Sequence, residues 1–269
     1  MRKYADEAKV KLSEGSESDQ VLILNVLNMF DQVNKRGNKN SFRQDCRRSF
    51  INIGTLEMIS SIRKNVSKEL ESIGYPSPNL MNTWYNRNSN GSSLFSLQAS
   101  VVAGLYPNVA VREEGEVNFR TMGNQKAKMH ISSVNSCKGM PLSKKSTELE
   151  FVAFGELLKG VSTYTINQTT HLPSVLPILL LCGDFRIRTL DSEGNDTKYS
   201  VITIDEWISF RCEYKIGSTL AVLRSRLETI FFHFVSSSKH SWDDFNDNER
   251  STLAAFDAVS RSSFKASSR

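Results

Sequence analysis

The spacing of the apolar residues changes once along this chain, at the phrase VVAGLYPNVA, residues 101–110. Upstream they recur every three or four positions; downstream they fall in short runs broken by turn residues. The first spacing lines one face of an α-helix, and an alternation of two lines one face of a strand. The chain is therefore constrained to a helical part followed by a β part. Gly104, Tyr106-Pro107 and Asn108 stop the first before Val109-Ala110-Val111 begins the second.

In the helical part, Ser18-Asp19 has the residue types of an N-cap ahead of VLILNVLNMFDQV. Val21, Leu24, Val26, Leu27 and Phe30 are dense enough there for burial on more than one face. The run from Thr55 to Ile73 carries Leu56, Ile59, Ile62, Val66, Leu70 and Ile73 as one apolar stripe, stopped by Gly74 and the prolines at 76 and 78. Between these helices, KRGNKNSFRQDCRR (35–48) reads as a basic connection with six Lys or Arg and one Asp. Residues 76–93, rich in Asn, Ser and Pro, read as a linker, and 94–106 as a connecting helix.

After Asn108, VAVREEGEVNF, AKMHISSVN, LEFVAFGELL, STYTINQTT, FRIRTL, YSVITI and WISFRC are β-rich runs separated by turn residues, the pattern of a small barrel. LPSVLPILLLCG (172–183) is the longest apolar stretch, about half a membrane span. Broken by Pro173 and Pro177, it reads as a strand with its lead-in. A closing helix is expected over 216–240, with Leu220, Leu223, Leu227, Ile230 and Phe231 on one face, and a disordered tail over 241–269. The expected fold class is α+β: a helical unit over 1–75, the linker, the connecting helix, a barrel over 107–215 and the closing helix.

Thirty-four basic against 29 acidic residues give a net charge of +5, a balance compatible with a nucleic-acid partner. Cys46, Cys137, Cys182 and Cys212 form no C-x-x-C pair, and scattered single cysteines fit a reducing compartment. The charged N-terminal stretch MRKYADEAKVKLSEGSESD has no apolar signal-peptide core. The expectation is an intracellular protein, cytoplasmic or nuclear, with no membrane partner. No G-x-x-x-x-G-K-[ST] is present, so no phosphate-cradling loop for a nucleoside triphosphate is expected. Asp205-Glu206 follows a β-run but reads as a strand end.

Seven phrases, in order, resemble the C-terminal part of DEAH-box RNA helicases. SDQVLILNVLNMF (18–30) and DCRRSFINIGTLEMISSIRKNV (45–66) are similar to two phrases of that family's helical ratchet domain. AGLYPNVA (103–110) is similar to the joint between ratchet and OB-fold. MHISSVNS (129–136), FGELLKG (154–160), PILLLCGD (177–184) and IDEWISF (204–210) are similar to phrases of the OB-fold and its exit. The resemblance implies a ratchet-like helical unit followed by an OB-fold barrel. It also implies an ATPase in two RecA-like domains with ATP and Mg, no cofactor in this chain, and no catalytic or metal residues here. The partners it implies are single-stranded RNA, the RecA domains of the same helicase, or an activating protein.

The same resemblance places an RNA surface on His130, Ser132, Ser133, Asn135 and Lys159. Hydroxyls, backbone N–H groups and a lysine are suited to phosphate oxygens. His130 either contacts RNA or braces the turn, and Asn135 is expected chiefly as a turn residue. The basic segment offers a second candidate, Lys35, Arg36, Arg47 and Arg48 together with Lys39 and Arg43, either on phosphates or as a solvated loop. If four of those six met phosphates, log K against log salt would fall with a slope of about −3, at ~−0.7 per contact. Phe30, Phe50, Phe151, Trp207 and Phe210 read as core, and Trp84, Tyr85 and Tyr106 as candidate exposed stackers. Departures from the family pattern occur at Gln20, Ile131, Gly160-Val161 and Ile166-Asn167. They remove hydroxyls and a positive charge from the RNA surface, which leaves a protein-docking module as the alternative.

Overall fold

A computed structural model describes residues 2–36, 39–75, 94–190, 199–236 and 245–261. They fall into two compact units, 1–72 with 110–171 and 73–109 with 172–269.

The first unit holds four helices and a barrel. The helices are α1 (Arg2–Leu12), α2 (Asp19–Arg36), α3 (Lys39–Arg48) and α4 (Ile53–Ser72). Ser18 caps α2, its hydroxyl accepting from the Val21 N–H at 3.2 Å, and Asn52 caps α4 through Thr55 N–H at 3.1 Å. Val26, Leu27, Phe30, Phe42, Cys46 and Leu56 form their common core. Two expectations change here. The basic connection is largely the helix α3, because Phe42 and Cys46, one turn apart, insert into that core. Of the apolar stripe expected on α4, Leu56 and Ile59 pack inward, while Ile62 (54%), Val66 (49%) and Leu70 (43%) are exposed.

The barrel comprises β1 (Val109–Arg112), β2 (Phe119–Thr121), β3 (Lys126–Met129), β4 (Glu150–Lys159) and β5 (Tyr164–Leu172), closed in the order β1-β2-β3-β5-β4. All five strands of this OB-fold lie between 109 and 172. β3 and β5 pair in parallel, with Ala127 opposite Tyr164, Lys128 opposite Thr165 and Met129 opposite Ile166. Alternation sends Ala110, Phe119, Ala127, Val152, Phe154 and Ile166 into the interior with Leu142. The interior is closed at one side by Arg112, which is buried, ion-paired to Glu150 and bonded to the Leu142 and Lys144 carbonyls.

The second unit holds α5 (Leu94–Leu105), α6 (Leu176–Leu181), strands β6 (Phe185–Leu190), β7 (Tyr199–Ile204) and β8 (Ile208–Glu213), and helices α7 (Tyr214–Ser236) and α8 (Asp247–Arg261). The strands form a separate antiparallel sheet in the order β6-β7-β8 rather than continuing the barrel to 215. LPILLL is helical instead of extended, with Leu176, Ile178, Leu179 and Leu180 buried. Arg224 of α7, itself buried, donates to the Leu179, Cys182 and Gly183 carbonyls and satisfies the end of that short helix. Residues 247–261, expected within a disordered tail, are helical; Phe256 packs on Phe95 and Thr252 is buried. Asp205 and Glu206 sit in a tight left-handed turn, where the Asp205 carboxylate accepts from the Tyr106 hydroxyl and the Asp184 N–H. Among the described residues no helix is long and apolar enough to cross a membrane.

Candidate nucleic-acid interface

The turn after β3 is fastened from inside. Asp19, at the first position of α2, accepts from the Val134 N–H at 2.7 Å and the Thr169 N–H at 2.8 Å. Burial pushes its carboxyl up from the ordinary range, and these bonds only partly offset the shift. Asn135 is fully buried and donates to the Glu17 carbonyl and to Thr169 Oγ1, both at 2.9 Å. Ser133 is also buried; its hydroxyl pairs with Thr169 Oγ1 at 2.7 Å and caps a 3-10 turn over 134–136. Glu17 and His171 add a side-chain hydrogen bond, and Gln20 donates to the Gln168 carbonyl. Residues 17–20 thus tie the helices to the barrel edge.

Ser133, expected on the RNA surface, lies inside this latch, and Asn135 has the turn role chiefly expected of it. Both side chains are buried, with the Ser133 hydroxyl and the Asn135 Nδ2 committed to the latch. The S-x-N spacing marked a well-made turn, and burial decided which way its side chains face.

Outside the latch, a different set shares one surface. Lys126 and Lys128 point outward from β3, alternating with buried Ala127, and His130 follows at the same spacing. The Lys128 position pairs with Thr165, and the His130 N–H bonds to the Ile166 carbonyl. Ser132 is exposed; its hydroxyl lies 2.7 Å from His130 Nδ1 and donates to Asn167 Oδ1 at 2.8 Å. The Ser132 N–H also donates to His130 Nδ1, at 3.2 Å, so this ring nitrogen braces the turn, and His130 is half-buried. Asn167 Nδ2 reaches Glu156 Oε2 at 3.5 Å, which sets one carboxylate at the border of this surface.

Lys159 is exposed near the tip of the β4–β5 hairpin. Beside it Val161 is fully exposed, and Leu157 and Leu158 are more than a third exposed. Arg47 and Arg48 close α3, exposed and without an ion pair among the described residues, at the helix end where positive charge is favourable. Lys35 and Arg36 close α2, but their side chains lie outside the described set, as do Trp84 and Tyr85. Phe50, expected in the core, is half exposed at a positive φ of 58°.

Lys126 and Lys128 were missed because KAKM is too short to stand out from a charged stretch. The alternation with Ala127 was the available signal. No group of His, Cys, Asp or Glu among the described residues is arranged to hold a metal ion.

Residues 97–185 match the family described as the oligonucleotide/oligosaccharide-binding (OB)-fold. The chain is 23% identical over 276 residues to the ATP-dependent DNA/RNA helicase DHX36 of Mus musculus, covering 99% of this chain and 26% of that protein. Its similarity to the human ATP-dependent RNA helicase DHX29 is 24% over 253 residues, covering 89% of this chain and 17% of that protein. The chain therefore spans about a quarter or less of the length of these curated relatives.

Proposed function

We propose that this chain, which belongs with the C-terminal regions of the DEAH-box helicases, is an accessory module that holds single-stranded RNA by its backbone. ATP-driven unwinding belongs, on this reading, to RecA-like domains outside these residues, where ATP and Mg would bind. One observation carries the RNA reading: Lys126, Lys128, His130 and Ser132 share one outward surface beside Thr165 and Asn167. Two point charges, a hydroxyl and an imidazole on a rigid edge grip phosphates without selecting bases. The latch from Asp19 and Asn135 keeps that edge in place without a ligand, which lowers the ordering cost of binding.

The test is anisotropy of a labelled single-stranded RNA with the full chain at two salt concentrations. Binding that weakens with salt, with a slope made shallower by ~0.7 in Lys128→Ala, supports the reading. Binding unaffected by Lys128→Ala and Ser132→Ala removes the barrel edge from it.

A second reading, a surface that docks an activating protein, is favoured by Ile131, Leu157, Leu158 and Val161, all exposed near the turn or hairpin. Apolar docking responds little to salt. A partner that binds unchanged at high salt and is lost in Val161→Asp would select it.

A further inference from the structure

The three-stranded sheet of the second unit has two unlike faces. Its register is continuous from β6 to β8. Ile202, Ile204, Ile208 and Phe210 are buried on one face, and Gly217 of α7 lies close against Ser200, Ile187 and Cys212 of that same face. The opposite face aligns Arg188–Val201–Arg211 in one cross-strand row and Arg186–Thr203–Ser209 in the next. It continues to Tyr199 opposite Glu213. Residues on this face are exposed or half-buried.

The three arginines are not equivalent. Arg186 is taken by the Asp184 carboxylate at 2.8 Å and by Glu206. Arg188 is exposed, and no carboxylate or carbonyl holds it among the described residues. Arg211 stands over the Tyr199 ring, its guanidinium carbon 4.4 Å from the ring centroid, and its Nε is buried there without a hydrogen-bond partner among the described residues. A guanidinium held over an aromatic ring, with its terminal nitrogens in no hydrogen bond among the described residues, is prepared for an oxyanion at little entropic cost. Arg188 and Arg211 stand two strand spacings apart, about 10 Å. The Thr203 and Ser209 hydroxyls lie in the adjacent row, 3.4 Å from each other. Glu213 is the one carboxylate within the aligned rows, at the Tyr199 end.

We propose that this open sheet face is a second binding surface for single-stranded nucleic acid, in which Arg188 and Arg211 take phosphates of one strand. Thr203 and Ser209 add hydroxyl donors, and Tyr199 positions Arg211. Charge complementarity sets the class of ligand as a polyanion. The choice of nucleic acid over an acidic peptide rests on the function proposed above, but the residues are separate from the barrel edge.

The experiment titrates the full chain against a fluorescein-labelled oligouridine of about 12 nucleotides, a length within the ~4–16 spanned by single-strand sites, at two salt concentrations. The variants are Arg188→Ala, Arg188→Ala with Arg211→Gln, Tyr199→Leu, and Lys128→Ala on the barrel. Arg188→Ala, at an exposed position, is expected to make the slope of log K on log salt shallower by ~0.7, and the double variant by ~1.4. Tyr199→Leu should lose part of the Arg211 share. A thiouridine-substituted strand should cross-link to peptides spanning 199–213.

An unchanged slope in the double variant, with cross-links confined to other peptides, overturns the proposal. So does a polyglutamate peptide that binds the chain more tightly than the RNA and is lost in the double variant. If Lys128→Ala alone flattens the slope, the barrel reading stands and this one falls. If only the sheet variants do, the reverse holds, and absence of RNA binding at low salt removes both.

Discussion

Asn135→Asp tests whether the turn of the barrel edge is held from inside. The native amide donates from Nδ2 to the Glu17 carbonyl and Thr169 Oγ1 at 2.9 Å each, in a position with no exposed surface. A carboxylate there sets oxygen against the Glu17 carbonyl oxygen and brings a second buried acid near Asp19. The cheaper state is a neutral carboxyl. Keeping it neutral at pH 7 against an ordinary value of about 3.9 costs about 4 kcal/mol. The sign follows from proton linkage. The introduced group binds its proton more tightly folded than unfolded, so its stability contribution is complete below the unfolded pKa and is lost as pH rises toward the folded pKa. The gap between variant and native chain should therefore widen by about 1.4 kcal/mol per pH unit, close to 2.7 kcal/mol from pH 5 to pH 7. Asn135→Ala is the control, expected to cost about 1–2 kcal/mol with no pH dependence of its own over that range. Urea unfolding followed by far-UV circular dichroism at the two pH values measures both. A gap that stays constant between them would refute the buried latch.

Tyr106→Phe should destabilise the second unit by about 1.5–3 kcal/mol, the worth of a hydrogen bond to a charged acceptor, since it removes the hydroxyl that donates to Asp205. That hydroxyl is the main cause holding the Asp205 carboxyl below its ordinary value. The stability it brings is present above the unfolded carboxylate pKa and lost as pH falls through the folded one, so acid unfolding should hurt the variant less than the native chain. Burial pushes the Cys182 thiol up to about 12, against an opposing pull from Arg224. Iodoacetamide at mildly alkaline pH should therefore spare Cys182 in the folded chain and modify half-buried Cys212 first, as read by peptide mass spectrometry. Early alkylation of Cys182 would mean that α6 is not packed as described. Arg224→Met should cost about 3 kcal/mol or more in thermal or urea unfolding, because three carbonyls at the end of α6 lose their donor.

What the sequence disclosed, and what it hid, follows from the range of each interaction. The switch from helix to strand at 104–109 was legible because both signals are local: a Gly-x-Tyr-Pro stop and a β-branched start. The Ser18 cap was legible for the same reason, as its partner is three residues away. Helix α3 was not, because six cations in fourteen residues drown the Phe42–Cys46 pair that anchors it, and that pair matters only once α2 and α4 supply a core. The β strands were legible one by one, but their division into a barrel and a separate sheet depends on pairings between strands far apart in sequence. LPILLL shows the same limit: a run apolar all round serves as buried strand or buried helix, and Arg224, more than forty residues on, satisfies the helical ending. The candidate site divides along this line. A hydroxyl or amide in a turn phrase carries no mark of which way it faces, so Ser132 and Ser133 look alike until Asp19, Thr169 and Glu17 close over one of them. The alternation of Lys126 and Lys128 about Ala127, and of Arg186 and Arg188 about Ile187, is local and was readable in principle. Which of those cations remain free was not, since that depends on the carboxylates the fold delivers: among the described residues, to Arg186 and to neither Arg188 nor Arg211. The unspent cations, rather than the net charge of +5, are therefore where binding should be sought.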